Sequence, residues 1–130
     1  MKYFSKKNTG KFILLGLFPL VMAACTGEPA ISFSQDVKPI IDKNCVSCHQ
    51  AEGEGVVASG FNMTTHDKLM KGAQFGPMVI AGDAEGSNMV VLMEGRADPS
   101  ISMPHGQQKS ISKADISIIR LWIDQGAKNN

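Results

Sequence analysis

Three residues in one short run can do chemistry together. They are Cys45, Cys48 and His49, within Cys45-Val46-Ser47-Cys48-His49. Two thiols three positions apart lie on one side of a single turn, so both sulfurs reach one edge of a flat macrocycle. The imidazole that follows then falls beneath a metal at its centre. This C-x-x-C-H spacing is the attachment motif of a c-type haem. In it, Cys45 and Cys48 form thioethers with the two vinyl groups and His49 ligates the iron. The motif occurs once, so one covalent haem c is expected.

The iron then needs a sixth ligand or an open face. Met103 is the candidate, in a loop that Pro104 stiffens. A His/Met pair raises the potential relative to bis-His. Met78, Met89 and Met93 read as core filling, the usual use of a methionine. His105 is a rival sixth ligand and His66 a more distant one. Two other chemistries compete for the same motif. Zinc would need four ligands, from Cys45, Cys48, His49 and either His66 or His105. A thiol–disulfide centre would need a strand before Cys45, and no stretch there alternates as one.

The chain has 130 residues and a formal charge of +1, which allows one domain and gives no reason to expect a nucleic-acid partner. Lys2, Lys6, Lys7 and Lys11 precede an apolar run, Phe12 to Ala24, that is too short to span a bilayer, which takes about 20 residues. Residues 1–24 therefore read as a signal peptide. It ends in Val21-Met22-Ala23-Ala24-Cys25, which looks like a bacterial lipobox with Cys25 as the lipidated mature N-terminus. Ordinary cleavage after Ala23 is the alternative. Acyl chains contribute about 0.8 kcal/mol per buried CH₂, so several on one cysteine would hold the protein to a membrane. Thr26 in place of Asp after the cysteine implies the outer membrane by analogy with other lipoproteins. All 12 acidic residues lie beyond the signal, as do all but four of the 13 basic ones, so the mature surface is mildly acidic. One cysteine for lipid and two for haem leave none for a disulfide.

The elements that must position the motif are helical. Residues 25–31 read as a tether and 32–130 as the domain. Phe33 to Asn44 predicts a first helix, capped by Ser34 or Asp36. The Asp36 cap keeps Pro39 in the first turn, with any earlier turn kinked. Gln50 to Gly60 reads as a glycine-rich loop. Thr64 or Thr65 caps a short helix ending at Gly72, and Ser87 caps another over Asn88 to Glu94. Asp98 to Ser110 is loop. Ser112 opens a last helix from about Lys113 to Gln125, whose Ile116, Ile119 and Ile123 form an apolar stripe broadened by Ile118 and Trp122. The fold class expected is all-α.

Several stretches carry a family likeness. They are Asp36-Val37-Lys38-Pro39-Ile40-Ile41, Gly82-Asp83 followed by Ser87, Met103-Pro104, and Leu121-Trp122-Ile123 with Gly126-Ala127. The chain resembles a single-haem class I cytochrome c, and more closely the planctomycete-type cytochrome c domain, over Phe33 to Lys128. Ala81 and His105 stand where that family often has proline. The resemblance implies terminal helices crossing near one haem, Trp122 in their core, and His49 and Met103 as axial ligands. The expectation is a periplasmic electron carrier on a lipid anchor, with redox proteins as partners, no small-molecule substrate and no enzyme activity. Two alternatives stand beside it. One is a haem enzyme or sensor with an open or His-ligated sixth site, and the other is a haem subunit of a larger respiratory complex.

Overall fold

A computed structural model describes residues 28–106 and 109–130. The signal peptide and Cys25 lie outside the described residues. Five α-helices follow in order: α1 (Lys38–Asn44), α2 (Glu54–Ser59), α3 (His66–Lys71), α4 (Asn88–Met93) and α5 (Lys113–Asp124). A π-helical turn, Phe33–Val37, leads into α1, and a 3-10 turn, Pro99–Ile101, lies between α4 and α5. There is no strand among the described residues, only two isolated bridges. The all-α expectation holds.

The kink expected before Pro39 is this π turn, in which the Val37 amide reaches back to the Ser32 carbonyl. Proline has no N–H to give, so it sits near the start of α1, where none is needed. The cap is Ser32 rather than Ser34 or Asp36. Its hydroxyl accepts from the Gln35 amide, while the Asp36 carboxylate accepts from the Ser32 amide at 2.8 Å. That is a capping box stretched by one residue, because the turn it closes is one residue wider.

The two ends of the domain clasp each other beside this turn. Asn130 accepts from the Phe33 amide through its side chain and from the Ser34 amide through its backbone. Gln125 bonds the Ile31 amide and the Pro29 carbonyl. α5 packs on the π turn and on α4. Its expected stripe is buried, with Ile119, Trp122 and Ile123 fully enclosed among Val37, Ile41, Leu69 and Val90. Ser112 caps it as expected, accepting from the Asp115 amide at 3.0 Å.

Two local expectations are corrected. Ser87 occupies the N-cap position of α4 but does not cap it. Its fully buried hydroxyl donates to the Asp83 carbonyl at 2.7 Å and accepts from the Ile80 amide at 2.8 Å, fastening the turn between them. The Met89 amide at the start of α4 finds the Met78 carbonyl instead. The second correction is α2, which forms where a loop was expected. Its two glycines, Gly53 and Gly55, argue against a helix by propensity, but they are needed for packing described next.

Candidate functional site

α1 runs straight into the motif. The Cys45 and Val46 amides both bond the Ile41 carbonyl, and the Cys48 and His49 amides both bond that of Cys45. One tight turn therefore carries both sulfurs and the imidazole, as the spacing predicts. α2 then folds back over it. The Gly55 amide donates to the Cys48 carbonyl at 3.0 Å. A Cβ on Gly53 would fall 2.2 Å from the Cys48 oxygen, and one on Gly55 would fall 2.7–2.9 Å from three atoms of the His49 ring. Neither approach is open to any other residue. The signal for α2 was thus the pair of glycines next to the motif, which propensity alone misreads as loop.

His49 is buried, 9% exposed. Its Nδ1 lies 2.8 Å from the Phe61 carbonyl, and its own carbonyl accepts from the Met63 amide at 2.8 Å. A carbonyl can only accept, so Nδ1 carries the proton and Nε2 keeps its lone pair for a metal. Phe61 also meets the imidazole edge-on, with centroids 5.5 Å apart. The imidazole is held on three sides before any ligand arrives.

Nearby, burial pushes the Cys45 thiol up to about 11, with the Asp42 carboxylate and Cys48 adding to it. At neutral pH Cys45 is held as the neutral thiol. Neither Cys45 nor Cys48 is in a disulfide.

These residues form one wall of a cavity of about 740 Å³, within the range of about 300–1,000 Å³ usual for ligand and cofactor sites. The rest of the wall is mostly apolar, and α4 supplies much of it through Met89, Val91, Leu92 and Met93. Met103, Pro104 and His105 line it from the loop before α5. Met103 is half-buried, and its amide donates to the Leu92 carbonyl at 3.1 Å. His105 is exposed, with Nδ1 3.1 Å from the Ser102 carbonyl. Met78, Met89 and Met93, read from sequence as core filling, are buried or half-buried, and all three also face the cavity.

His66 is not in this lining. It sits edge-on to Phe33 and Trp122, and its Nε2 lies 2.8 Å from the Ala127 carbonyl. That is a half-buried histidine tied to residues near the C-terminus, which corrects its reading as a rival sixth ligand. Among the described residues, no group of three or more His, Cys, Asp or Glu converges as a metal site.

The residues present fit a covalent haem. Two thiols and an imidazole with a directed Nε2 share one apolar cavity, and a glycine packs against the imidazole where a side chain would clash. The family model described as Planctomycete cytochrome C matches residues 45–117, more than half of the chain. The protein belongs to the planctomycete cytochrome c family. The matched residues begin at Cys45 and include Met103. Membership implies haem c bound through Cys45 and Cys48, and a domain that usually serves electron transfer rather than enzymatic turnover. No curated protein and no solved structure matches the chain.

Proposed function

We propose that the protein is a single-haem electron carrier with His49 and Met103 as axial ligands. It is lipid-anchored through Cys25 to the periplasmic side of a bacterial membrane, the outer one by the residue after the cysteine. Its partners on this reading are redox proteins of the periplasm or membrane, and it takes no small-molecule substrate. The observation that supports the axial pair is that Met103 and His49 line one largely apolar cavity, while the Phe61 carbonyl engages the His49 Nδ1 and leaves Nε2 for the iron.

Haem, when bound, supplies a one-electron iron couple. The chain's part is to hold that couple still and dry. Phe61 fixes the tautomer of His49 and raises its basicity through the Nδ1–H bond. The methionines and Phe61 exclude water, which disfavours the net charge of the ferric form and raises the potential. A thioether at Met103 favours the ferrous form in the same direction. Little reorganisation accompanies transfer, because the ligand-bearing segments are hydrogen-bonded to α2 and α4.

The competing reading, an open or His-ligated sixth site, has one observation in its favour: His105 also lines the cavity. Spectra of the holoprotein separate the two. The wild type is expected to show the weak near-red methionine–iron band when oxidised. Met103→Ala should abolish that band and lower the potential, while His105→Ala should leave both in place. A band that survives Met103→Ala, or rapid carbon monoxide binding by the reduced wild type, overturns the axial assignment. The anchor is tested separately. Cys25→Ser should release the protein from the membrane fraction, and a variant that stays there removes the lipid reading.

A further inference from the structure

Four charged side chains form a closed circuit on the face where α4 meets α5. Glu85 meets Arg96 at 2.9 Å and Arg120 at 2.8 Å, and Glu94 meets Arg96 at 2.7 Å and Arg120 at 2.9 Å. Each arginine binds both carboxylates and each carboxylate binds both arginines. Isolated surface pairs contribute little, but several charges joined in one network are the recognised exception. The Glu85 carboxyl is held below its usual range, first by its bond to Arg120 and then by Arg96.

The placement of the four residues gives the circuit a target. Glu85 lies three residues before the start of α4, and Glu94 caps its end. Arg96 begins the segment that leaves α4, and it also donates to the Glu85 backbone carbonyl at 3.1 Å. Arg120 comes from α5. The segment that Arg96 opens returns to α4 where the Met103 amide bonds the Leu92 carbonyl. Between those points Asp98 ties the chain to itself, accepting from the Ser100 and Ile101 amides. The Met103 loop is thus a closed excursion from α4, fixed at its return by one backbone bond and at its departure by the Arg96 amide, bonded to the Val91 carbonyl at 3.0 Å, together with the circuit.

We propose that Glu85, Glu94, Arg96 and Arg120 are positioning residues for Met103: the circuit holds α4 and the departing chain so that the loop returns Met103 to the cavity in one place. This rests on the reading of Met103 as a ligand. Removing one corner leaves the core of the domain intact, because none of the four is buried. It loosens the departure of the loop and, through Leu92, its return.

The test uses the holoprotein with Arg120→Met, which opens the circuit by freeing both carboxylates from α5 while Arg96 still holds them, and Arg120→Lys, which keeps the charge without the guanidinium. Amide hydrogen exchange is read at Met103, with the Leu69 amide, bonded to Thr65 in α3, as the internal control. Arg120→Met should speed exchange at Met103 by about tenfold relative to Leu69, with Arg120→Lys between it and the wild type. Glu85→Gln should act in the same direction. The near-red methionine–iron band should weaken or shift in the same order. Equal acceleration at Met103 and Leu69 would mean a general loss of stability, and unchanged exchange at Met103 would mean no coupling. Either result overturns the proposal. If the wild type lacks the methionine–iron band, the ligand reading fails on its own, and the exchange ratio still decides whether the circuit positions the loop.

Discussion

Replacing Gly55 by alanine should strengthen α2 and damage the site at the same time. Gly55 lies inside a helix, where alanine is worth about 1 kcal/mol over glycine. On that ground alone the variant gains stability. But the new Cβ would stand 2.7–2.9 Å from the His49 ring, against the 3.4 Å at which ordinary contact begins. The ring must recede by roughly half an ångström or more, or α2 must lift from the motif turn. Neither is free, because the ring is tied to the Phe61 carbonyl and α2 to the Cys48 carbonyl. Overpacking of this kind costs about 1–3 kcal/mol, which cancels or outweighs the helix gain. The global stability of the holoprotein should therefore fall by no more than about 2 kcal/mol. Whether the ring recedes or α2 lifts, the surroundings of the imidazole change, so the reduction potential and the low-spin ferric magnetic-resonance signals should shift. Val57→Ala is the control. It raises helix propensity in the same helix, at a side chain 80% exposed and away from the ring. Chemical denaturation, spectroelectrochemistry and magnetic resonance of both variants decide the matter. A Gly55→Ala protein that is stabilised like Val57→Ala, with an unchanged potential and spectrum, would refute the argument that glycine is there to admit the imidazole.

Ser87→Ala should cost about 1–3 kcal/mol in denaturant unfolding, because it strips the Ile80 amide and the Asp83 carbonyl of a buried partner. Phe75, 88% exposed yet part of the cavity lining, is held on a turn closed by reciprocal Ala73–Gly76 bonds and stapled to the end of α2 through Gln74. Phe75→Ala should let water closer to the cofactor and lower the potential of the holoprotein, whereas an unchanged potential would mean that the ring faces solvent. Glu85 carries a pH signature. Its folded carboxyl lies below the ordinary value of 4.5, so its contribution is present above that value and is lost as pH falls through the folded one. The melting-temperature gap between wild type and Glu85→Gln should hold from neutral pH down to about 4.5 and close on further acidification; a gap independent of pH would show that the charge of Glu85 plays no part.

Much of the fold was legible because it is written in local spacing. The α5 stripe, the Ser112 and Thr65 caps and the Gly72 stop each depend on residues within a few positions of one another. What was missed depends on contacts that no periodic pattern encodes. α2 looks like loop until the His49 ring is placed beneath Gly55. Ser87 looks like a cap until the Ile80–Asp83 turn closes over it. His66 looks like a candidate ligand until it is seen edge-on to Phe33 and Trp122 and bonded to the Ala127 carbonyl. Only for His66 is the deciding partner remote in sequence; for Gly55 and Ser87 it is close by, but the contact follows no periodic pattern.

The same division runs through the site itself. Everything that orients His49 lies within fourteen residues of it: Cys45 and Cys48, Gly53 and Gly55, and Phe61 and Met63. That half of the site is assembled by one continuous segment and could be recognised from its motif. Met103 is held otherwise. Its amide bonds Leu92, and α4 is fastened to α5 by Arg120 and to the preceding turn by Glu85. No short pattern encodes that arrangement, so sequence could name Met103 but not say what keeps it in place. The two halves should therefore respond differently to the same stress. Loosening α5 should release the Met103 side while leaving the His49 side ordered, because no bond that fixes the imidazole passes through α5. Mild destabilisation should then yield a protein with its thioether and histidine attachments intact and its sixth position freed. The loss of the methionine–iron band before any change in helix content would mark that state.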